Sequence, residues 1–251
     1  MGIKECTTLK QIIITVLVVV GIVVGAVALS GGDEQTAGAV SNNFYGQESG
    51  VITLTEYGDF ECPACAGFFP IVTQVKEDFK DQIRFEFRHF PLVQIHPNAT
   101  AAHRAAEAAA KQGQFWEMHD LLYERQQAWR SNGSAVASSP PISSNNPTEI
   151  FEGYAEELGL DMDQYREDAR SSDTLGTINA DIELGKDNNV TSTPTFFIDS
   201  ELVEDLNAIS TVEGFSEVIQ AAIDAKNAES GDATESTEAT TEETARPEEE
   251  Q

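Results

Sequence analysis

Two short stretches of this chain alternate apolar and polar residues, at positions 51–58 and 83–90. Such alternation predicts half-buried strands. Residues 62–79 lie between them and carry apolar side chains at helical spacing, as at Phe68, Val72 and Val75. A strand, a helix and a second strand in this order predict two parallel strands joined by a right-handed crossover.

The pattern beyond residue 90 is mainly helical. We predict helices over residues 99–112, 114–129, 148–158, 162–170 and 173–186, with a loop rich in Ser, Asn and Pro at 131–147. A strand at 195–199, a short hairpin partner near 201–206 and a closing helix at 216–226 follow. The part of the chain that carries these predicted helices and strands is long enough for one well-buried core with a helical cap.

An uncharged apolar run of 18 residues occupies positions 12–29. A helix of that length just spans the hydrocarbon core of a bilayer. Lys4 and Lys10 precede the run, and Asp33 and Glu34 follow it. We therefore expect the N-terminus to stay in the cytoplasm and the rest of the chain to be exported.

A cleaved signal peptide is the alternative, because Ala26-Val27-Ala28 resembles a cleavage site. The apolar run is long for a signal peptide, so we favour a retained anchor. Residues 1–30 are then a cytoplasmic stub and a transmembrane anchor. The expected location is the cell membrane, with a single pass and the catalytic domain on the extracytoplasmic side, where disulfides persist.

The remaining boundaries follow from composition. Residues 31–47 are rich in Gly, Ser, Asn and Gln and predict a flexible linker, and residues 48–228 form the folded domain. Residues 229–251 are mostly Glu, Thr, Ser, Ala and Asp, which predicts an acidic disordered tail. The formal net charge of −28 argues against nucleic acid and anionic lipid headgroups as ligands.

Cys62 and Cys65 stand three positions apart, where the first predicted strand runs into the first helix. This spacing puts both sulfurs on one face of the first helical turn. Backbone N–H groups at a helix N-terminus favour a thiolate at Cys62, and Cys65 is near enough to resolve a mixed disulfide. A structural disulfide or half of a zinc site are the alternatives, but the only other cysteine is Cys6, before the predicted span.

The chain resembles a known family through two motifs, Cys62-Pro63-Ala64-Cys65 and the distant Thr193-Pro194-Thr195-Phe196-Phe197-Ile198. Together they are similar to the DsbA-like thiol oxidoreductases over residues 48–226. The resemblance implies an α/β thioredoxin-like fold with an all-helical subdomain inserted at about 97–175, preceded here by one N-terminal transmembrane helix. It also implies that Pro194 is cis and lies against the active-site disulfide.

The resemblance assigns further roles. Cys62 is expected to be the nucleophile and Cys65 the resolving thiol, with a depressed pKa at Cys62. Pro63 and Ala64 stand where many members carry Pro-His, and the missing histidine argues for a less extreme depression, as does repulsion by the nearby Asp59 and Glu61. Pro63, Ala64 and Thr193 are the expected substrate contacts.

Glu56 shares a strand face with Ile52 and Leu54, so a carboxylate stands where the pattern favours an apolar residue. Its place six residues before Cys62 matches the buried acid of thioredoxin-like enzymes. Burial would raise its pKa and suit it to exchange a proton with Cys65. An edge-exposed glutamate is the alternative.

The four histidines show no metal-binding pattern, so we expect neither a metal nor a cofactor. The resemblance implies oxidation of cysteine pairs in unfolded or reduced exported proteins, with a quinone-linked membrane partner for re-oxidation. A reductase or isomerase on the same fold is the nearest alternative. A non-catalytic carrier of a soft metal is a more distant one.

Overall fold

The computed structural model describes residues 38–131 and 146–238, with side chains to residue 230. Its sheet has the strand order β1-β3-β2-β4-β5. The strands are β1 (Phe44–Gly46), β2 (Ile52–Gly58), β3 (Ile83–His89), β4 (Thr195–Ile198) and β5 (Glu201–Leu202). The helices are α1 (Pro63–Asp78), α2 (Ala99–Ala110), α3 (Phe115–Glu124), α4 (Gln126–Trp129), α5 (Pro147–Glu157), α6 (Met162–Arg170), α7 (Ser172–Asp187) and α8 (Val212–Glu238).

Strand β2 lies at the centre of the sheet. It pairs in parallel with β3 and antiparallel with β4. The parallel pairing around α1 confirms the predicted strand–helix–strand unit. Ile52 and Leu54 of β2 and Phe85 of β3 are buried on one face of the sheet, in a core shared with Val75 of α1 and Phe215 of α8.

A second core fills the helical region between β3 and β4. It joins small residues of α2, such as Ala105 and Ala106, to larger side chains of α3 and α5, such as Leu122 and Phe151. Phe60 and Cys65 belong to this core. The turn that carries Cys62 and Cys65 therefore packs against the helical subdomain as well as against the sheet.

The helix predicted over 114–129 is interrupted at Arg125, where the backbone turns between α3 and α4. The break buries the Gln126 side chain, which donates hydrogen bonds to two main-chain carbonyls beside the cysteines, those of Phe60 and Cys62. Periodicity alone could not reveal it, because the apolar spacing continues through the turn.

The predicted linker 31–47 is wrong in its described part. Residues 44–46 form β1, which pairs antiparallel with β3. Ser41 is buried and donates from its hydroxyl to a carboxylate oxygen of Asp181 at 2.5 Å. The Gly- and Asn-rich composition gives no signal for this edge strand. Pairing with β3 and contacts with residues far along the chain stabilise it.

Helix α8 continues to Glu238, beyond residue 228, where the folded domain was predicted to end. Extending a formed helix by one residue is far easier than nucleating a new one, and Ala and Glu favour helix. The hairpin partner is shorter than predicted, at Glu201–Leu202.

Several predictions lie outside the described residues: the anchor at 1–30, the linker up to residue 37, most of the 131–147 loop and the tail from 239 onward. Within the ranges that are described, every helix is too short or too polar to span a bilayer.

Candidate active site

Cys62 lies at the N-cap of α1, with an extended backbone (φ −70°, ψ 124°). Its N–H donates to the carbonyl of Asp59 at 3.0 Å, and its carbonyl accepts the N–H of Ala66 at 3.2 Å. Pro63 occupies the first helical position, where its fixed φ suits the helix and its missing N–H costs nothing. The strand-to-helix junction thus places a cysteine sulfur over the free N–H groups of a helix end.

The Cys62 sulfur is a poised nucleophile. Its pKa falls to about 5, mainly because the Cys65 thiol hydrogen-bonds to it, against the opposing effect of burial. The backbone N–H groups of Cys65 and Ala64 and the Thr193 side chain lower it further. At neutral pH the reduced site therefore carries a thiolate at Cys62, as the sequence predicts.

Cys65 differs sharply from its neighbour. Only 1% of its surface is exposed, against 6% for Cys62, and both cysteines are free thiols in this structure. Burial raises the pKa of Cys65 well above its ordinary value, and hydrogen bonding and charge at Cys62 raise it further. The two sulfurs therefore differ in the way that nucleophile and resolving thiol must.

The distant proline motif meets the cysteines in space. The Thr193–Pro194 peptide bond is cis, as the resemblance implies. In its protonated form the Cys62 sulfur donates a hydrogen bond to the Thr193 carbonyl oxygen, 3.4 Å away. Strand β4 begins two residues later at Thr195, which pairs with Tyr57 of the central strand.

Glu56 is 3% exposed and pairs with Phe87 and Phe196 on its two neighbouring strands. The edge-exposed alternative is therefore wrong. Burial raises the pKa of Glu56 to about 8, against a lowering effect of Lys76 and with a further rise from charge at Cys62. A carboxyl group with that pKa holds its proton at neutral pH but releases it readily.

Lys76 is a buried cation that faces this region from α1. Its side chain is 4% exposed, and its ammonium lies 3.5 Å from a carboxylate oxygen of Asp120. It also lies over the rings of Tyr45 and Trp116, at 5.1 and 4.6 Å from their centroids. Its charge limits how far burial raises the pKa of Glu56.

Asp59 and Glu61 were expected to repel the Cys62 thiolate. Their carboxylates are instead bound by backbone N–H groups. Asp59 accepts from the N–H groups of Glu61 and Leu92, each at 2.8 Å. The Glu61 carboxylate accepts from the N–H groups of Asn98 at 2.6 Å and Ser131 at 2.7 Å. Both carboxylates are engaged by backbone donors, and neither is among the main causes of the Cys62 pKa shift.

Pro63 and Ala64 are exposed, so this side of the turn is open to solvent. Sequence reasoning missed Gln126, whose amide donates to the carbonyls of Phe60 and Cys62 at 2.8 and 2.9 Å. A glutamine next to an aromatic-rich helix carries no periodic signal that would single it out.

Three histidines, His89, His103 and His119, lie in the interior. His89 and His103 face each other at 2.6 Å between Nδ1 atoms, and His89 Nε2 lies 2.7 Å from Glu107. Among the described residues, no group of three or more His, Cys, Asp or Glu is arranged to hold a metal ion.

Comparison with known proteins agrees with this geometry. The family model described as thioredoxin matches residues 39–221, which is most of the chain. The chain belongs to the thioredoxin family. Its fold resembles solved thioredoxin-like structures, including oxidised BdbD from Bacillus subtilis (TM-score 0.58, 19% identity, 75% of this chain and 97% of that one).

Two further structures are similar at the level of fold. Wolbachia pipientis alpha-DsbA1 matches with a TM-score of 0.58 and 19% identity over 76% of this chain and 96% of that one. The thiol-disulfide oxidoreductase MdbA of Actinomyces oris matches with a TM-score of 0.56 and 20% identity over 71% and 84%.

In sequence, this thioredoxin-family chain is 39% identical over 153 residues to a protein of Salinispora tropica named Na(+)/H(+) antiporter NhaA 3. A namesake from Salinispora arenicola is 40% identical over 153 residues. Each match covers 61% of this chain and 21% of the relative. Since the chain spans about a fifth of these relatives, the antiport in their names is a property of those proteins.

Proposed function

We propose that this chain is an exported thiol–disulfide oxidoreductase that oxidises cysteine pairs in newly exported proteins. The observation that carries the proposal is the unequal cysteine pair. Cys62 has a pKa of about 5 at a helix N-terminus, and Cys65 is a buried thiol of high pKa beside it. Such a pair exchanges disulfides in two ordered steps.

The reaction begins with the Cys62–Cys65 disulfide. A substrate thiolate attacks the Cys62 sulfur, a mixed disulfide forms, and the electron pair of the broken bond leaves on Cys65. A second substrate thiolate then attacks the substrate sulfur of the mixed disulfide and releases Cys62 as a thiolate. The substrate loses two electrons and gains a disulfide, and the enzyme is left reduced.

The pKa of Cys62 supports the oxidising direction. A thiolate stabilised in the reduced protein favours reduction of the enzyme disulfide, and so oxidation of the substrate. Lowering the pKa of this buried cysteine to about 5 makes the reduced state at pH 7 more stable by roughly 2–3 kcal/mol, which is on the order of 50 mV. The site is thus a stronger oxidant than a pair with ordinary thiols.

The surroundings of Cys62 suit a polypeptide substrate. Thr193, just before β4, lies against Cys62 through its carbonyl, where an extended chain could pair as an added strand. Pro63 and Ala64 are exposed beside it. The loop after β3 is tied to the site by Asp59 and Glu61, and it exposes two apolar side chains: Val93 at 47% and Ile95 at 63%.

Glu56 supplies the proton step in this proposal. When the enzyme disulfide opens, the Cys65 thiolate takes a proton from the Glu56 carboxylic acid. When Cys65 attacks a mixed disulfide to release a reduced substrate, the proton returns. A pKa of about 8 suits transfer in both directions near neutral pH.

Export, the membrane anchor and the partner complete the proposal. The apolar run at 12–29 and the preceding lysines support a single-pass protein with its domain outside the cell. Re-oxidation then falls to a quinone-linked membrane protein. The strong negative charge supports proteins rather than nucleic acids as partners.

The deciding experiment is the reduction potential of the full-length chain against glutathione, together with oxidation of a reduced two-cysteine peptide. We expect a potential above that of the glutathione couple and stoichiometric oxidation of the peptide. A potential below glutathione would favour the reductase. Tight binding of Cu(I) without any disulfide exchange would favour the metal carrier.

A further inference from the structure

Tyr123 lies on α3 beneath the active-site turn and is 4% exposed. In the part of the chain that the structure describes, its hydroxyl has no hydrogen-bond partner. Burying a hydroxyl without a partner is costly, and phenylalanine would fill the same space without that cost. The hydroxyl is therefore a feature that packing does not explain.

The ring of Tyr123 contacts both sides of the cysteine turn. Its centroid lies 5.0 Å from that of Phe60, two residues before Cys62. It lies 5.4 Å from that of Phe69, one helical turn after Cys65 on α1. Residues four apart share a helix face, so the tyrosine ring lies on the side of α1 from which Cys65 projects.

The hydroxyl reaches the end of the central strand. A Cβ atom at Gly58 would stand 3.0 Å from the Tyr123 oxygen, closer than an ordinary van der Waals contact. The next residue, Asp59, hydrogen-bonds through its backbone to the Cys65 sulfur. The tyrosine hydroxyl therefore lies beside Gly58, the residue next to the one whose backbone contacts the Cys65 sulfur.

Burial and the negative charges around the Tyr123 hydroxyl keep it protonated. Burial raises the pKa of Tyr123 well above its ordinary value, and negative charge at Cys65 adds more than charge at Glu56, Asp59 or Cys62. The titratable His119 ring also packs edge-on against Tyr123, at 5.0 Å between ring centroids. A hydroxyl that stays protonated can donate its proton in a hydrogen bond, and among the negative charges that act on it the one on Cys65 has the largest effect.

We propose that the Tyr123 hydroxyl donates a hydrogen bond to the Cys65 sulfur while that sulfur carries negative charge during disulfide exchange. This inference rests on the proposed function. An attacking thiolate forms a bond to Cys62, and the electron pair of the Cys62–Cys65 bond leaves on Cys65. The tyrosine stabilises that leaving thiolate until Glu56 protonates it.

A hydrogen bond from Tyr123 to the charged Cys65 sulfur should change the rate of exchange and leave the equilibrium unchanged. The oxidised site has no charge on Cys65, and the reduced site holds Cys65 as a neutral thiol at pH 7, since burial raises its pKa well above the ordinary value. The donor therefore stabilises the transition state more than either end state. Removing it should slow opening and closing equally and leave the reduction potential unchanged.

The test replaces Tyr123 by Phe in the full-length chain and follows reduction of the active-site disulfide by glutathione. A hydrogen bond to a charged group is worth enough that we expect opening to slow about tenfold. The pKa of Cys65, titrated by ultraviolet absorbance in a Cys62→Ala background, should rise. Thermal stability should stay equal or increase, because an unpaired buried hydroxyl is gone.

Tyr165→Phe is the matched control, since Tyr165 is 2% exposed and lies in the helical subdomain on α6. It should leave the rate unchanged. Equal rates and equal Cys65 pKa values in wild type and Tyr123→Phe would overturn this inference alone. A wild-type chain that exchanges with neither glutathione nor a reduced peptide would instead overturn the proposed function.

Discussion

Cys62 and Thr193 stand 131 positions apart in the chain, yet the cysteine sulfur lies 3.4 Å from the threonine carbonyl oxygen, to which the protonated thiol donates a hydrogen bond. Cys62 comes from the N-terminus of α1, and Thr193 from the segment that enters β4. The central strand β2 brings them together, because it precedes α1 and pairs with β4. The contact places a backbone acceptor beside the reactive sulfur, where we propose that a substrate chain approaches.

The first prediction separates the roles of the two cysteines. Cys65→Ser should trap substrates as mixed disulfides on Cys62, because the buried thiol that would release them is gone. Cys62→Ser should trap nothing. Non-reducing electrophoresis with and without dithiothreitol reads out the adducts. Adducts that persist only in the Cys62→Ser variant would reverse the assignment.

The second prediction concerns the charge on Cys62. With a pKa of about 5, its alkylation by iodoacetamide should be nearly independent of pH above about 6 and fall about tenfold per unit below 5. The reduced protein should gain stability relative to the oxidised form as pH rises from 5 towards 9, because an unfolded thiol stays protonated over that window. Cys62→Ala provides the baseline for both measurements, and an alkylation midpoint near 9 would contradict the prediction.

The third prediction concerns Glu56→Gln, which keeps the shape but cannot ionise. Turnover with a reduced peptide should slow and lose part of its pH dependence near neutrality. The slowing should not exceed the low end of the 10²–10⁴-fold typical of proton transfer, since water can substitute for the carboxyl group. Stopped-flow rates between pH 6 and 9 would measure both effects. An unchanged profile would mean that solvent supplies the proton.

The same variant has a predicted effect on stability. The pKa of Glu56 rises from 4.5 to about 8 on folding, so the native state binds more protons between those values and wild-type stability falls as pH rises through them. Glu56→Gln should remove that loss, up to an order of 4–5 kcal/mol above pH 8 and little at pH 4. Urea unfolding at both pH values measures it, and a gain independent of pH would contradict the assignment.

The fourth prediction tests the close approach at Gly58. A methyl group there would lie 2.4 Å from the Phe87 ring and 3.0 Å from the Tyr123 hydroxyl. Gly58→Ala should destabilise the protein by about 1–3 kcal/mol through overpacking. Gly153→Ala is the control, because nothing lies within 4 Å of that exposed helical position; there alanine should stabilise by about 0.5–1 kcal/mol. Equal stabilities of the two variants in urea would argue against the tight packing.

Local signals in the sequence determined much of this protein. The alternation at 51–58 and 83–90 predicted β2 and β3, since side chains on successive strand residues face opposite sides. The spacing of Cys62 and Cys65 predicted a reactive turn at a helix N-terminus. Glu56 among apolar neighbours on one face predicted a buried acid, because strand periodicity alone decides which face a residue occupies.

Only the tertiary structure decided which distant groups these residues meet. The composition of residues 44–46 predicted a linker, but these residues form an edge strand. An edge strand depends on the strand it pairs with more than on its own composition. Asp59 and Glu61 were expected to repel the Cys62 thiolate, but backbone N–H groups of distant loops engage their carboxylates. Gln126 and Tyr123 carried no local signal. A polar side chain takes its partners from three-dimensional proximity, and periodicity along one element does not encode that.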